Sequence, residues 1–308
     1  MKARDIFFGP EKLRALWRLV LFILLAAAVI WGVILLLSLV VPEDIEGIRE
    51  EVLGFLALTV ALLIASAVMM RWIERRRFAA LGLPLGKEMW SDWLKGAAIG
   101  AALMVLVVAL QTIVGWLRPA PDAGTMVGWI GMQAGLMLML AIAATAEELL
   151  MRGYAFQVLV EGMGAWPAVI VTSVLFALAH LGNPNIDYIA LLNIALAGVL
   201  LAGVYLRTRS LWVAIGTHWA WNWVMAGLFD LPVSGLDYDV PGYDTLELGP
   251  DHFTGGVFGP EAGLVITLVV LPLIVWVYRT PWLKQSPRMA ELKPLVDDRL
   301  GGQEVSSQ

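Results

Sequence analysis

Thr145-Ala-Glu-Glu-Leu-Leu-Met-Arg152 sets two adjacent carboxylates and a guanidinium into a run that is otherwise apolar from Val127 to Leu150. A charged side chain at membrane depth costs about 2.5–3.5 kcal/mol on insertion scales. Such groups need partners, and the sequence offers them downstream. Phe176-Ala-Leu-Ala-His180 and His218-Trp-Ala-Trp-Asn222 put polar side chains into two further apolar segments. The expectation is that three segments converge on one polar site inside a membrane helix bundle.

Working outward, the composition agrees with a membrane chain. Of 308 residues, 59% are apolar and 15% charged, against about 25% charged in soluble domains. A net charge of −5 gives no reason to expect a nucleic-acid partner. With no cysteine there is no disulfide, thiolate nucleophile or cysteine metal site.

A bilayer core of about 30 Å needs about 20 helical residues. Runs that meet or approach this are Leu16–Val41, Leu53–Met70, Leu94–Leu117, Val127–Leu150, Trp166–His180, Tyr188–Leu206, Leu211–Phe229 and Gly263–Tyr278. The fold expected is an all-α polytopic bundle of about eight spans. The first span doubles as an uncleaved targeting signal, because it is too long for a cleavable one. Between spans, Arg71 and Arg75-Arg76-Arg77 run into Phe78-Ala-Ala-Leu-Gly-Leu-Pro84, with Trp90 and Trp93 beyond. That piece reads as interfacial or as a plain basic loop. With the N-terminus inside, only Arg49 and Arg118 of the 21 Lys and Arg fall outside. Both termini are therefore expected in the cytoplasm, and the cell membrane as the location.

The organisation expected is one membrane domain, 1–308. It divides into N-terminal spans with the interfacial segment (16–125), core spans (126–230), an outer acidic loop (231–260), a last span (261–280) and a polar tail (281–308).

Helical geometry sorts the charged groups. Neighbours on a helix point about 100° apart, so Glu147 and Glu148 face different ways. Glu148 and Arg152 are spaced i, i+4, acid first, and can pair. Glu147 is left free to face a cavity as a general base. His218 and Asn222 share a face by the same spacing. Asn193 reads as interhelical glue, His252 as an ordinary surface residue, and Trp212, Trp219, Trp221 and Trp223 as packing.

These motifs, Glu-Glu-x-x-x-Arg, Phe-x-x-x-His and His-x-x-x-Asn in order, resemble the CAAX-protease and bacteriocin-processing intramembrane endopeptidases. The match is carried by Glu147, Glu148, Arg152, Phe176, His180, His218 and Asn222. Leu-Gly-Asn-Pro after His180, Arg-Thr-Arg-Ser-Leu-Trp before His218 and Leu81-Gly-Leu-Pro84 also look familial. The resemblance implies an eight-helix core and hydrolysis of a peptide bond at the membrane. It implies Glu147 as base on a water, His180 orienting that water, and His218 and Asn222 stabilising an oxyanion. Glu148 belongs to the catalytic set, with Arg152 and Phe176 as structural support. Glu147, His180 and His218 could instead hold one Zn²⁺, although the compact His-Glu-x-x-His signature is missing. No cofactor is required in the metal-free form.

Expected partners are a peptide or membrane-protein substrate and the lipid bilayer. Two rival readings keep the fold: a proton-coupled transporter, and a non-catalytic scaffold or immunity protein. Spacing leaves one conflict. Glu147 lies about 30 Å along its span, His180 about 21 Å in from the basic side and His218 about 10 Å in. The cavity is expected to open on the cytoplasmic face.

Overall fold

The computed structural model describes residues 13–39, 48–122 and 124–292. The basic stretch before Leu13, the end of the first span at Val41, most of the acidic loop from Pro42 and the tail beyond Leu292 lie outside those residues.

The structure is helical, with α1 Ala15–Ser38, α2 Ile48–Val68, α3 Lys87–Ile113, α4 Met126–Arg152, α5 Tyr154–Met163 and α6 Ala165–Ala179. There follow α7 Tyr188–Thr208, α8 Leu211–Trp223, the short α9 Asp251–Thr254, α10 Leu264–Arg279 and α11 Pro287–Leu292. Five stretches are long and apolar enough to cross a membrane: α1, Glu51–Ile73, α3, the composite Met126–Met163, and α7. α6 and α10 are shorter apolar helices. π-turns extend α2 over Met69–Ile73 and α8 over Val224–Leu228.

Local chemistry sets the ends. The Thr125 side chain accepts from the Gly128 N–H to cap α4, and Asp187 accepts from Ala190 N–H to cap α7. These bonds satisfy donors that a helix start leaves orphaned. Gly164, at φ +92°, turns the chain between α5 and α6, a conformation open mainly to glycine.

The tightest crossing joins α3 to α8. A Cβ on Gly96 would stand 2.0 Å from the Val213 carbonyl oxygen, and one on Gly100 2.0 Å from that of Thr217. Reciprocally, a Cβ on Gly216 would meet the Trp93 carbonyl oxygen at 2.2 Å. Small residues let backbones approach this closely where lipid provides no hydrophobic drive between helices. α8 carries His218 and Asn222, so this crossing seats them.

Most of α1 faces outward, with Trp31 71% exposed. It is tied down by Arg18, which is buried and donates to Glu74 at 2.7 Å and to Glu161 at 2.9 Å. Tyr154 Oη also donates to Glu74, at 2.7 Å.

Several expectations need adjusting. The third span begins at Lys87, so Trp90 and Trp93 belong to helix α3. Ala80, Leu81 and Leu83 are buried rather than lying on an interface. Gln157 Nε2 and Leu211 N–H donate to the carbonyls of Leu81 and Gly82, and Trp212 Nε1 to that of Pro84. This segment is thus a buried brace under the start of α8. The chain between Met151 and Trp166, unassigned from sequence, forms α5. Leu117–Pro121 pairs antiparallel with Tyr243–Glu247 as β1 and β2. The acidic loop is built, not loose. The Tyr243 hydroxyl donates to the Leu228 carbonyl, and Val233 bridges to Leu236.

Candidate active site

The expected site residues come from three helices. Glu147, Glu148 and Arg152 end α4, Phe176 and His180 end α6, and His218 and Asn222 lie on α8. The depth conflict is relieved by α5. It carries the chain about 15 Å further before α6 turns back. The chain breaks helical geometry at Gly153, between α4 and α5, and Glu147 and His180 meet at one cavity.

Glu148 and Arg152 are fully buried. Arg152 Nη1 donates to Glu148 Oε1 at 2.9 Å, and Nη2 to the Gly198 carbonyl at 2.9 Å. His218 Nδ1 meets the same Glu148 oxygen at 2.9 Å. A carboxylate only accepts, so Nδ1 carries the proton. By the same logic His180 Nδ1 donates to the Phe176 carbonyl at 2.7 Å. Each ring is thereby fixed in orientation, with Nε2 left for other chemistry.

Phe176 is the hub of this cluster. Its ring centroid lies 4.9 Å from the Arg152 guanidinium carbon. It meets the rings of His180 and His218 edge-on, with centroids 4.8 and 5.9 Å away. A cation on an aromatic face gains about 2 kcal/mol or more when desolvated.

Glu147 points elsewhere. Its Oε2 lies 3.7 Å from His218 Nε2. That atom is buried and has no hydrogen-bond partner among the described residues. Glu147, His180, His218 and Asn222 all line one cavity of about 510 Å³, while Glu148 and Arg152 stand behind its wall.

The cavity's other lining corrects one expectation. Glu51, Asn183, Pro184, Ser234 and Tyr238 contribute to it. They sit at helix ends opposite Arg71, Arg209 and Arg279. The opening is therefore on the acidic face, not the basic one. The reason is that His180 ends a helix of only 15 residues at that face.

Sequence reading missed Glu261. Its Oε1 accepts from Trp221 Nε1 at 3.1 Å, and its Oε2 from Ser234 N–H and Oγ at 2.8 and 2.7 Å. It thus pins the loop that covers the cavity. The available signal was an acid next to the apolar run of the last span. Asn193 bonds the Glu261 and Gly263 carbonyls, at 2.8 and 2.9 Å, and joins α7 to the start of α10. His252 is exposed. Trp212, Trp219, Trp221 and Trp223 each donate an indole N–H within the protein.

Among the described residues, no group of three His, Asp or Glu side chains is arranged to hold a metal ion. Glu147, His180 and His218 as placed do not make a Zn²⁺ ligand set. What the cluster can do is hold an acceptor carboxylate beside two oriented imidazoles and an amide, around one cavity.

Comparison with curated proteins and with solved structures returned no match. A family model does match, over the stretch from the start of α4 to the end of α8 that supplies every residue of this cluster. Residues 127–224 match the family model described as Type II CAAX prenyl endopeptidase Rce1-like, in agreement with the resemblance of the motifs.

Proposed function

We propose that this protein is an intramembrane endopeptidase that cleaves a peptide bond with a water activated by Glu147. The single observation that carries the reading is the division of labour between adjacent carboxylates. Glu148 Oε1 is held by Arg152 and His218 behind the wall, while Glu147 lines the cavity and presents an unbonded oxygen there.

In the proposed cycle, a water bound between Glu147 and His180 Nε2 gives a proton to Glu147 and adds its oxygen to the scissile carbonyl. The oxyanion is met by the Asn222 amide and by His218, which donates from Nε2 when protonated at both ring nitrogens. One such donor is worth about 2.7–4 kcal/mol. Glu147 then passes its proton to the departing amine nitrogen. Glu148 and Arg152 hold the His218 ring throughout, and Phe176 supports both imidazoles.

The same reading takes all eight apolar helical segments as crossings, with both termini on the cytoplasmic side of the cell membrane. The bias of Lys and Arg to one face supports this. The cavity then opens away from the cytoplasm. Substrates would be peptides or membrane-protein segments, prenylated tails among them.

The test is Glu147→Gln in purified, bilayer-reconstituted protein. Cleavage of prenylated, leader-bearing and transmembrane peptides should fall about 10²–10⁴-fold, with an unchanged melting curve. Undiminished cleavage by that variant would overturn the assignment of the base.

A further inference from the structure

Arg71-Trp-Ile-Glu-Arg-Arg-Arg77 carries arginines and no lysine. It straddles the end of Glu51–Ile73, a stretch long and apolar enough to cross a membrane. The chain leaves that helix by a left-handed turn, with Arg75 at φ +55° and the Arg76 N–H donating to the Met70 carbonyl at 2.9 Å. Arg71, Arg75, Arg76 and Arg77 thereby line one surface hollow of about 450 Å³, whose remaining lining is Ala67 and Phe78. A second hollow of about 480 Å³ shares Arg76 and Arg77 and is completed by Arg288, Glu291 and Leu292 of α11. α11 is anchored by Met289, which is fully buried, and by Leu292, which packs on the cluster that holds Ala80 and Leu81.

The positive charge of this surface is not cancelled from within. Glu74, the acid inside the run, turns inward: its side chain is 1% exposed and accepts from Arg18 and Tyr154, both at 2.7 Å. Glu291 is matched by Arg288 at 3.1 Å. Arg71, Arg75 and Arg77 are exposed and make no ion pair among the described residues. A guanidinium fork takes a phosphate in two parallel hydrogen bonds, which an ammonium cannot do. The hollow also has an apolar part in Ala67 and Phe78, and Trp72, next to Arg71, is 66% exposed. Cations above apolar and aromatic side chains match the level where a phospholipid passes from headgroup to acyl chain. Free phosphate would have no use for that apolar part.

We propose that the paired hollows bind the phosphate of an anionic phospholipid, with Arg71, Arg75 and Arg77 as its ligands and Arg288 reaching it from α11. Bound lipid would tie α11 to the end of α2, next to the Leu81–Pro84 brace under α8. Such a site needs only a bilayer around the chain and no peptidase activity.

The experiment takes the full-length protein, stripped of lipid in an uncharged detergent, at about 0.15 M salt. It is mixed with phosphatidylglycerol, with phosphatidylcholine of the same acyl chains, or with inorganic phosphate. Retained lipid is counted by native mass spectrometry, and thermal unfolding is followed by tryptophan fluorescence. Phosphatidylglycerol should be retained and should raise the melting temperature by several degrees over phosphatidylcholine, and inorganic phosphate should do neither. Arg71→Gln/Arg75→Gln/Arg77→Gln should lower retention at least about tenfold and abolish the shift. Arg77→Gln alone, which touches both hollows, should lower retention at least about twofold, and keeps the test open if the triple variant folds poorly. Lys87→Gln/Arg279→Gln/Lys284→Gln removes the same charge from exposed positions elsewhere on the basic face and should change neither readout. Equal retention of the two lipids, or equal losses in the two triple variants, would overturn the site. A shift by inorganic phosphate as large as that by phosphatidylglycerol would overturn the lipid as its occupant.

Discussion

Replacing Gly100 by Ala tests whether the α3–α8 crossing seats the site. The added Cβ would lie 2.0 Å from the Thr217 carbonyl oxygen and 2.9 Å from the Trp221 nitrogen. Both contacts are backbone, so no side chain can swing aside. Restoring a carbon–oxygen separation of about 3.3 Å requires the helices to part by about 1.3 Å. Overpacking of this kind costs about 1–3 kcal/mol. Thr217 adjoins His218, and a displacement of about 1 Å at a reacting group can cost about 10²-fold in rate. Gly32→Ala is the matched control. Its Cβ meets nothing within 4 Å, and alanine is the better helix former by about 1 kcal/mol. Thermal unfolding of each variant in detergent, followed by tryptophan fluorescence at one scan rate, should show Gly100→Ala melting several degrees early. Gly32→Ala should melt at or above the parent temperature. Cleavage by Gly100→Ala should drop even well below its melting point. A Gly100→Ala protein that melts within a degree of the parent would refute the close crossing.

Arg152→Met strands a buried Glu148 carboxylate and the Gly198 carbonyl, so it should destabilise by about 3–5 kcal/mol, visible as lost folded yield. Arg152→Lys should recover only part, since an ammonium lacks the fork that reaches both acceptors. Glu148→Gln keeps the shape but removes the anion that holds His218, and a fall in kcat with little change in KM should show it. Asp230, in the loop after α8, is pushed above the usual carboxylate range by burial, against the stabilising bond from the Val240 N–H. Its ionised form is thus disfavoured in the fold: the penalty is absent below the unfolded pKa and sets in as pH rises through the folded one. Asp230→Asn should therefore raise the melting temperature at pH 7, with the gain vanishing near pH 3.

Much of the fold was legible because hydrocarbon tolerates few charges, so each long apolar run announces a helix. The cluster was legible for the converse reason: Glu147, Glu148, Arg152, His180 and His218 stand out where nothing else is ionisable. Glu261 was hidden because it follows a stretch crowded with acids, which masks its place beside the apolar run of the last span. The pairing of β1 with β2 joins segments about 120 residues apart, and its prolines argue locally against a strand. The role of Gly96, Gly100 and Gly216 depends on which helix lies opposite, which spacing alone does not tell. The short α5 was missed because Gly153 interrupts an apolar pattern.

The brevity of α6 reaches beyond the protein itself. Its 15 residues span about 22 Å, some 8 Å less than an average hydrocarbon layer. Ile170, Val174 and Leu178 nevertheless stay exposed along it. On the proposed reading that α6 crosses the bilayer, lipids beside it would shorten or tilt to match, and such hydrophobic mismatch dimples the leaflet at a modest cost per ångström. A substrate helix drifting into that dimple loses the lipid cover of its last turn. On the function proposed above, its end would then fray into water at the level of His180, where an extended strand could be cut.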